Sequence, residues 1–550
     1  MTDGLVLDTQ FLKFLLPELC LTIGVLMVMV LTIAKTRHNA DEHGALAVVS
    51  MLFSLGALAL LGYNFKQFVD TNPSLIVHLS QPFLGGTLAN VPEPETFLYA
   101  TIRGDFLSYL IRGLLLLGLV VIIPFSTKYL EKRTAIMGDY YLLVMGATLG
   151  GMVLALANDL ILLFVGLETL SITSYILAGY LRRQRASAEA SFKYLVYGGV
   201  ATAFFLFGTS LIYGLTGSTN LQEVTQGLLD YSAMTHPTLV LMVLMVMATV
   251  LFKLSIAPFQ MWTPDVYEGA PTPVAAFLSV VSKTAAFALL IRMFSYAFLG
   301  FADIWQPVMM LLAVVSMIVG NVVALKQTSL KRLLAYSTIA HAGYMLLGIV
   351  VLSVDGLSST LYYLLAYLFM NLGAFAAVLY VENAIGSDQL SDISGLLGKR
   401  PGLVLGLSVC LLSLAGIPIT AGFFAKFFLF RAVIAAGNEH MWLILFALLT
   451  STISLYYYLN PMRLMIVGEP SKVVEGLAPS SDTPMPLTLA TVATIVLGVW
   501  ASIFLNATDL TARQLLASSP PIKVEPPAVS QHLLIPAPSH QDQAALHGHQ

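Results

Sequence analysis

The chain has 550 residues, of which 57% are hydrophobic and 10% charged, with a formal net charge of −3 and a mean hydropathy of +0.83. A soluble domain carries about 25% charged residues, so this chain cannot cover itself with polar surface, and water is not its main solvent. Its near-neutral charge offers nothing to nucleic acid. The two cysteines, Cys20 and Cys410, lie in separate apolar segments, which excludes a disulfide framework, a metal-ligand spacing and an iron–sulfur site. No Gly-rich phosphate loop or nucleophile elbow is present, so redox cofactors, where the system has them, belong on other chains.

Apolar stretches of about 20 residues read as membrane-spanning helices. Fourteen are expected, at 11–34, 43–63, 105–126, 138–157, 159–180, 190–214, 238–258, 272–298, 305–325, 331–351, 358–382, 402–433, 440–462 and 484–506. Asp3 and Asp8 precede the first run, and no small-residue cleavage site follows it, so it reads as a membrane helix and not a removed signal. Residues 64–104 form a longer polar loop. Residues 507–550, rich in Pro, Ser, Gln and His, read as a disordered tail, with His532, His540, His547 and His549 in solvent.

Basic residues in the loops set orientation. Loops on one side carry fifteen Lys and Arg, among them Arg133, Arg182, Arg183, Lys331 and Arg332; the other side, with both termini, carries five. The fifteen-residue side is expected to face the cytoplasm and both termini the periplasm of a bacterial inner membrane. The loop 259–271 has no base and holds Asp265 and Glu268.

The chain also repeats itself. Residues 156–181 and 325–350 align at a shift near 170, and each half later meets a proline break, "LSIAPF" at 254–259 and "LSLAGIPITAGF" at 412–423. A shift of about five helices is odd, so the copies must lie inverted in the membrane. Inverted repeats with interrupted helices mark transporters, and the breaks point to the ion path.

A charge at membrane depth is a functional hypothesis by default, unless a long side chain near a helix end reaches the interface. Glu168 stands nine residues into 159–180, about 13 Å from the nearer end at 1.5 Å per residue, too deep for its short side chain to reach water. Lys283 and Lys426 are also mid-span, and Lys253 adjoins the break at Pro258. Lys193 follows Glu189 by four on one helix face, a spacing that suits a structural ion pair as well as a role in transport. His341 is mid-helix, and histidine is the side chain whose ordinary pKa lies near neutral. Arg112, Arg292 and Arg431 read as interfacial or paired structural charges; Glu18 is open to either reading. Burial disfavours a charged amine and a neighbouring carboxylate restores it, so moving the partner releases a proton.

At these residues, "FKLSIAPFQMWTPDVYEGAPTPVAAFLSVVSK" (252–283), "TSLKRLLAYSTIAHAGYMLLG" (328–348) and "LSLAGIPITAGFFAKF" (412–427), the chain resembles the subunit N family of complex I, the proton-translocating NADH–quinone oxidoreductase. The resemblance implies an all-α polytopic antiporter-like fold of about fourteen helices, with the seventh and twelfth broken. It implies N-terminal helices over 1–126, two inverted five-helix repeats over 127–298 and 299–465, a last helix over 466–506, and then the tail. It implies proton-channel roles for Glu168, Lys193, Lys253, Lys283 and Lys426, with Lys253 the partner of Glu168; His341 joins them from the reading of the residues. It implies no redox cofactor on this chain, with FMN and iron–sulfur clusters on partners, quinone as the substrate of the complex, and sister antiporter-like subunits and a peripheral redox arm as neighbours. A cation/proton antiporter subunit of the same fold is the alternative.

Overall fold

Hydrocarbon offers no water to a free backbone group, so a chain of this composition must satisfy its own N–H and C=O groups, and helices do so within one segment. The computed structural model describes residues 9–34, 40–72, 92–134, 137–229 and 237–518. Its principal helices are α1 (Leu16–Ala34), α2 (Ala40–Asp70), α3 (Phe106–Leu130), α4 (Gly138–Leu156), α5 (Leu160–Ala178), α6 (Arg185–Thr216), α7 (Pro237–Leu254), α8 (Thr272–Ala297), α9 (Ala302–Ala324), α10 (Leu330–Val350), α11 (Val354–Ile385), α12 (Pro401–Ala415), α13 (Ala421–Ala435), α14 (Met441–Val467), α15 (Met485–Val499) and α16 (Ala501–Ala517). Among the described residues, twelve helices are long and apolar enough to cross a membrane, namely α1 to α11 and α14. α8 and α10 are almost wholly buried, whereas fewer than a third of the residues of α1, α2 and α6 are buried.

The segment 402–433 is broken where its proline run is expected to break it: Gly416 at φ +88° and Ile419 at φ +75° leave the helical region between α12 and α13. Two expectations are corrected. The loop 259–271 contains a helix, Trp262–Gly269. The tail expected from 507 starts later: α15 ends at Val499, the chain bends by 82°, and α16 continues to Ala517. α16 holds because it buries Leu505, Leu510 and Leu515, and because Gln514 is fastened twice. Its Oε1 accepts from Phe106 N at 2.7 Å and its Nε2 donates to Pro92 O at 2.9 Å. The four tail histidines lie outside the described residues, as does most of the 64–104 loop; a hairpin pairs Glu95–Phe97 with Ile102–Gly104 at its end.

The internal repeat is written into the backbone. Leu160 N donates to Thr219 O (2.8 Å) and Leu221 N to Asn158 O (3.0 Å). About 170 residues later, Leu330 N donates to Asp388 O (2.9 Å) and Leu390 N to Thr328 O (2.8 Å). Asp159 caps α5 and Ser329 caps α10 in the same position. The α4–α5 approach at Gly150 and Gly166 recurs in α9–α10 at Gly320 and Gly343, where a Cβ would meet the facing backbone at 2.6–2.9 Å. At a shift of 170, Glu168 corresponds to Thr338 and Ser171 to His341, so the titratable group of the second copy stands about one turn further along its helix.

Three buried arginines outside this core, Arg103, Arg112 and Arg292, are paired. Arg112 Nη1 meets Glu18 Oε1 at 3.2 Å, and Arg292 clasps Asp105 through two bonds of 2.5 and 2.7 Å, with Arg103 Nε on the same carboxylate at 3.0 Å. Burial alone would push the Asp105 carboxyl up; Arg292 and Arg103 outweigh it and hold the group below the usual carboxylate range. A lowered folded value means that this pairing contributes fully above the ordinary carboxylate pKa near about 3.9 and is lost only as pH falls through the lower value. Asp105→Ala strands the buried Arg292 and should cost about 3–5 kcal/mol, read as a lower melting temperature of the purified assembly. An unchanged melting point would contradict that account.

Candidate functional site

α7 ends at a C-terminal motif that sets the first cluster. Ser255 adopts φ +63°, Ser255 N donates to Phe252 O (3.0 Å) and Ile256 N reaches back to Leu251 O (2.9 Å). The break frees carbonyls that nothing apolar can satisfy. Trp262 Nε1 takes Phe252 O at 3.0 Å, and Lys283 Nζ donates to Leu254 O at 2.5 Å and to Ser255 Oγ at 2.8 Å. Lys283 is 1% exposed and follows a π-turn over Leu278–Ser282, which shifts the register of α8 as it enters this break. A cation at a helix C-terminus also complements the helix dipole.

The second break repeats the device. Gly416 N and Ile417 N turn back on Ser413 O (2.9 Å) and Leu412 O (3.0 Å). Lys426 Nζ, on α13, donates to Ala415 O (2.9 Å), Leu414 O (3.3 Å) and Ser451 Oγ (3.0 Å), and lies 5.2 Å from the Tyr344 ring centroid. Gly416 is required here twice over: φ is positive, and a Cβ would meet Lys426 Cδ at 3.1 Å. Lys283 and Lys426 therefore do the same structural work at equivalent breaks, each an amine donating to the open end of an interrupted helix.

Lys253 differs from both. It is 3% exposed, yet its Nζ has no hydrogen-bond partner; it faces the rings of Tyr175 at 5.4 Å and Tyr194 at 5.3 Å. The hydroxyls of both tyrosines are also buried and unpaired. The expected direct pair with Glu168 is not formed. Glu168 is half-buried, its Oε1 accepts from Thr202 Oγ1 at 2.6 Å, and it shares a face of α5 with the exposed Ile161, Val165, Ile172 and Ile176. Three buried polar groups without hydrogen-bond partners on these neighbouring side chains are a hydrogen-bonding demand that internal water can meet.

His341, 2% exposed, sits in a chain of hydroxyls. Nδ1 is 2.8 Å from Tyr363 OH and Nε2 is 3.0 Å from Tyr458 OH, which also bonds Ser337 Oγ. Tyr344 OH, bonded to Thr450 Oγ1 at 3.0 Å, connects through Asn321 to Tyr457. Asn371 Nδ2 to Ser279 Oγ (2.8 Å) ties α11 to α8 between the two clusters. Lys193 stands apart at the other end of α6, half-exposed, in ion pairs with Glu189 (2.9 Å) and Asp265 (2.7 Å); Arg332 completes this group on Asp265 and Glu268. The acids near Lys253 in sequence therefore pair with Lys193 and Arg332. Lys331, which reads as a loop cation, is buried against Glu382 at 3.5 Å.

Sequence reasoning missed Tyr175, Tyr194, Tyr363, Tyr458 and Ser451. The one available signal is a hydroxyl at mid-span, as in "YYY" at 456–458. Among the described residues no group of His, Cys, Asp and Glu could hold a metal ion.

Residues 157–454, more than half of the chain, match the family model described as "NADH:quinone oxidoreductase/Mrp antiporter, TM". The NAD(P)H-quinone oxidoreductase subunit 2 of Synechococcus elongatus is 39% identical over 540 residues, covering 94% of this chain and 97% of that protein. A chain in the structure of respiratory complex I from Thermus thermophilus with bound aureothin is 30% identical, with a TM-score of 0.65 over 91% of this chain and 99% of that one. A chain of the Mrp complex from Dietzia sp., 22% identical with a TM-score of 0.73 over 92% and 98%, shares the fold. With broken helices, repeats and relatives in agreement, the chain belongs to the membrane family shared by NADH:quinone oxidoreductases and Mrp antiporters.

Proposed function

We propose that this chain is the proton-translocating membrane subunit, of the subunit N or subunit 2 kind, of a redox-driven NAD(P)H–quinone oxidoreductase. The observation that carries the reading is the pair of equivalent helix breaks, each holding a buried lysine that can exchange a proton. In the mechanism, Lys283 and Lys426 take up and release protons at the breaks, Lys253 links Tyr175 and Tyr194 to them, and His341 passes protons between Tyr363 and Tyr458. Glu168 supplies the charge that biases Lys253, acting across the gap between them. A shift of α5 or of the α7 end by a few ångströms changes that bias, because the interaction falls off with distance and is strong in a low dielectric. Lys193 acts as an interfacial structural pair and as an entry point for protons.

FMN, iron–sulfur clusters and the quinone site sit on partner chains in this reading, and this chain contributes no redox group. Glu168 on an otherwise apolar, exposed face supports a neighbouring membrane subunit there, since a carboxylate facing lipid costs several kcal/mol. The basic loops face the cytoplasm and both termini the periplasm of the bacterial inner membrane. Lys472→Cys should then label from the cytoplasmic side alone, and periplasmic labelling would reverse the topology.

The test is copurification. An affinity tag on this chain should recover iron–sulfur and flavin subunits with NAD(P)H-dependent quinone reductase activity. Recovery with antiporter subunits alone, and no redox activity, would establish the antiporter reading instead.

A further inference from the structure

We propose that the cleft where α4 meets the α5–α6 turn binds the phosphodiester headgroup and one acyl chain of an anionic phospholipid. Two adjoining cavities of about 380 and 390 Å³ meet there and share Asp139, Tyr180 and Arg182. The outer one is lined by Arg133, Arg182 and Arg183. The inner one runs down between the helices along Leu142, Leu143 and Ile176. Polar and apolar walls thus follow one another as the parts of a phospholipid do.

The position fits the bilayer boundary. α5 ends at Ala178, and the arginines follow within five residues, at the depth where hydrocarbon gives way to headgroups. Ile176, two residues before that end, is 46% exposed and lines the inner cavity. Arg133 is held ready: its guanidinium lies 3.8 Å from the Tyr129 ring centroid and bonds Asn383 Oδ1 at 2.7 Å and Tyr129 O at 3.1 Å. None of these contacts neutralises it. Arg182 and Arg183 are exposed and form no ion pair among the described residues.

Three guanidinium groups against the single carboxylate of Asp139 leave a net positive cleft, which selects a phosphate bearing no compensating amine. Planar guanidinium groups match phosphate oxygens in paired hydrogen bonds. Basic pockets between membrane helices hold lipid headgroups by this chemistry. A free phosphate would use only the outer cavity, and the apolar cavity beneath is what commits the site to a lipid.

The experiment uses the membrane assembly purified through this chain, stripped of lipid with detergent and titrated with phosphatidylglycerol, with bound lipid counted by native mass spectrometry. The wild type should retain one more phosphatidylglycerol than the double variant Arg182→Gln/Arg183→Gln. Affinity at that site should fall about thirtyfold, the loss of two cations near a membrane surface. Ile176→Trp keeps every charge but fills the acyl groove, and it should lose the same molecule; Lys472→Gln, outside the cleft, should keep it. Excess inorganic phosphate should not displace the lipid, and phosphatidylethanolamine should not replace it. Equal lipid counts in wild type and both cleft variants would overturn the proposal. So would displacement by phosphate, which marks a simple anion site, or a neighbouring subunit crosslinked into the cleft.

Discussion

Lys253→Met is expected to leave the assembly as stable as the wild type, or slightly more so, while removing at least about nine-tenths of its proton translocation. The two effects separate because of how Lys253 is held. Its amine is buried, without a hydrogen-bond partner, against the rings of Tyr175 and Tyr194. Burying a polar or charged group without a hydrogen bond is unfavourable, and replacing it with an apolar side chain of similar length is commonly neutral or stabilising. Methionine is flexible enough to fill the same space. A structural lysine would behave in the opposite way, losing stability when replaced. The checks are thermal melting of the purified assembly and proton uptake by sealed vesicles during quinone reduction. A melting temperature well below the wild type would show that Lys253 has a partner in the working protein. Normal uptake would remove Lys253 from the path.

Lys426→Ala should lose both stability and translocation. Removing the ammonium leaves the carbonyls of Leu414 and Ala415 and the Ser451 hydroxyl without their donor. Each stranded group costs about 1–3 kcal/mol when it stays dry, and water entering the break lowers that sum. Lys426→Arg should recover most of the stability, because its guanidinium still donates to the helix end. It should recover little translocation, because arginine does not give up its proton. Recovery of both by arginine would mean that Lys426 serves as a fixed charge only.

The places where sequence reasoning succeeded and failed have physical causes. The spans were legible because about 20 apolar residues leave few other solutions. The breaks at Pro258 and Gly416 were legible because both residue types interrupt helices; that α7 stops at Leu254, before Pro258, follows from Ser255 taking a positive φ, which a serine does not advertise. α16 was missed because it is amphipathic and lies among the polar residues that lead into the tail. Glu168, Lys253, Lys283, His341 and Lys426 stand out in sequence because a charge or imidazole at mid-span is expensive. Their partners do not stand out, because tyrosine and serine read equally well as packing. Which residue meets which depends on helices far apart in sequence: Lys283 on Leu254, Lys426 on Ala415, and Glu168 on Thr202 instead of Lys253.

A mid-membrane carboxylate controls proton movement through buried lysines without bonding to them. The most direct measurement is the number of protons taken up per quinone reduced, in sealed vesicles carrying Glu168→Gln, with assembly confirmed on native gels. Glutamine keeps the hydrogen bond with Thr202 and removes only the charge, so a normally assembled complex with a clearly lower proton-to-electron ratio is expected. Glu168→Asp should restore most of it, because the charge returns. A Glu168→Gln assembly that reduces quinone and takes up protons at the wild-type ratio would contradict the account.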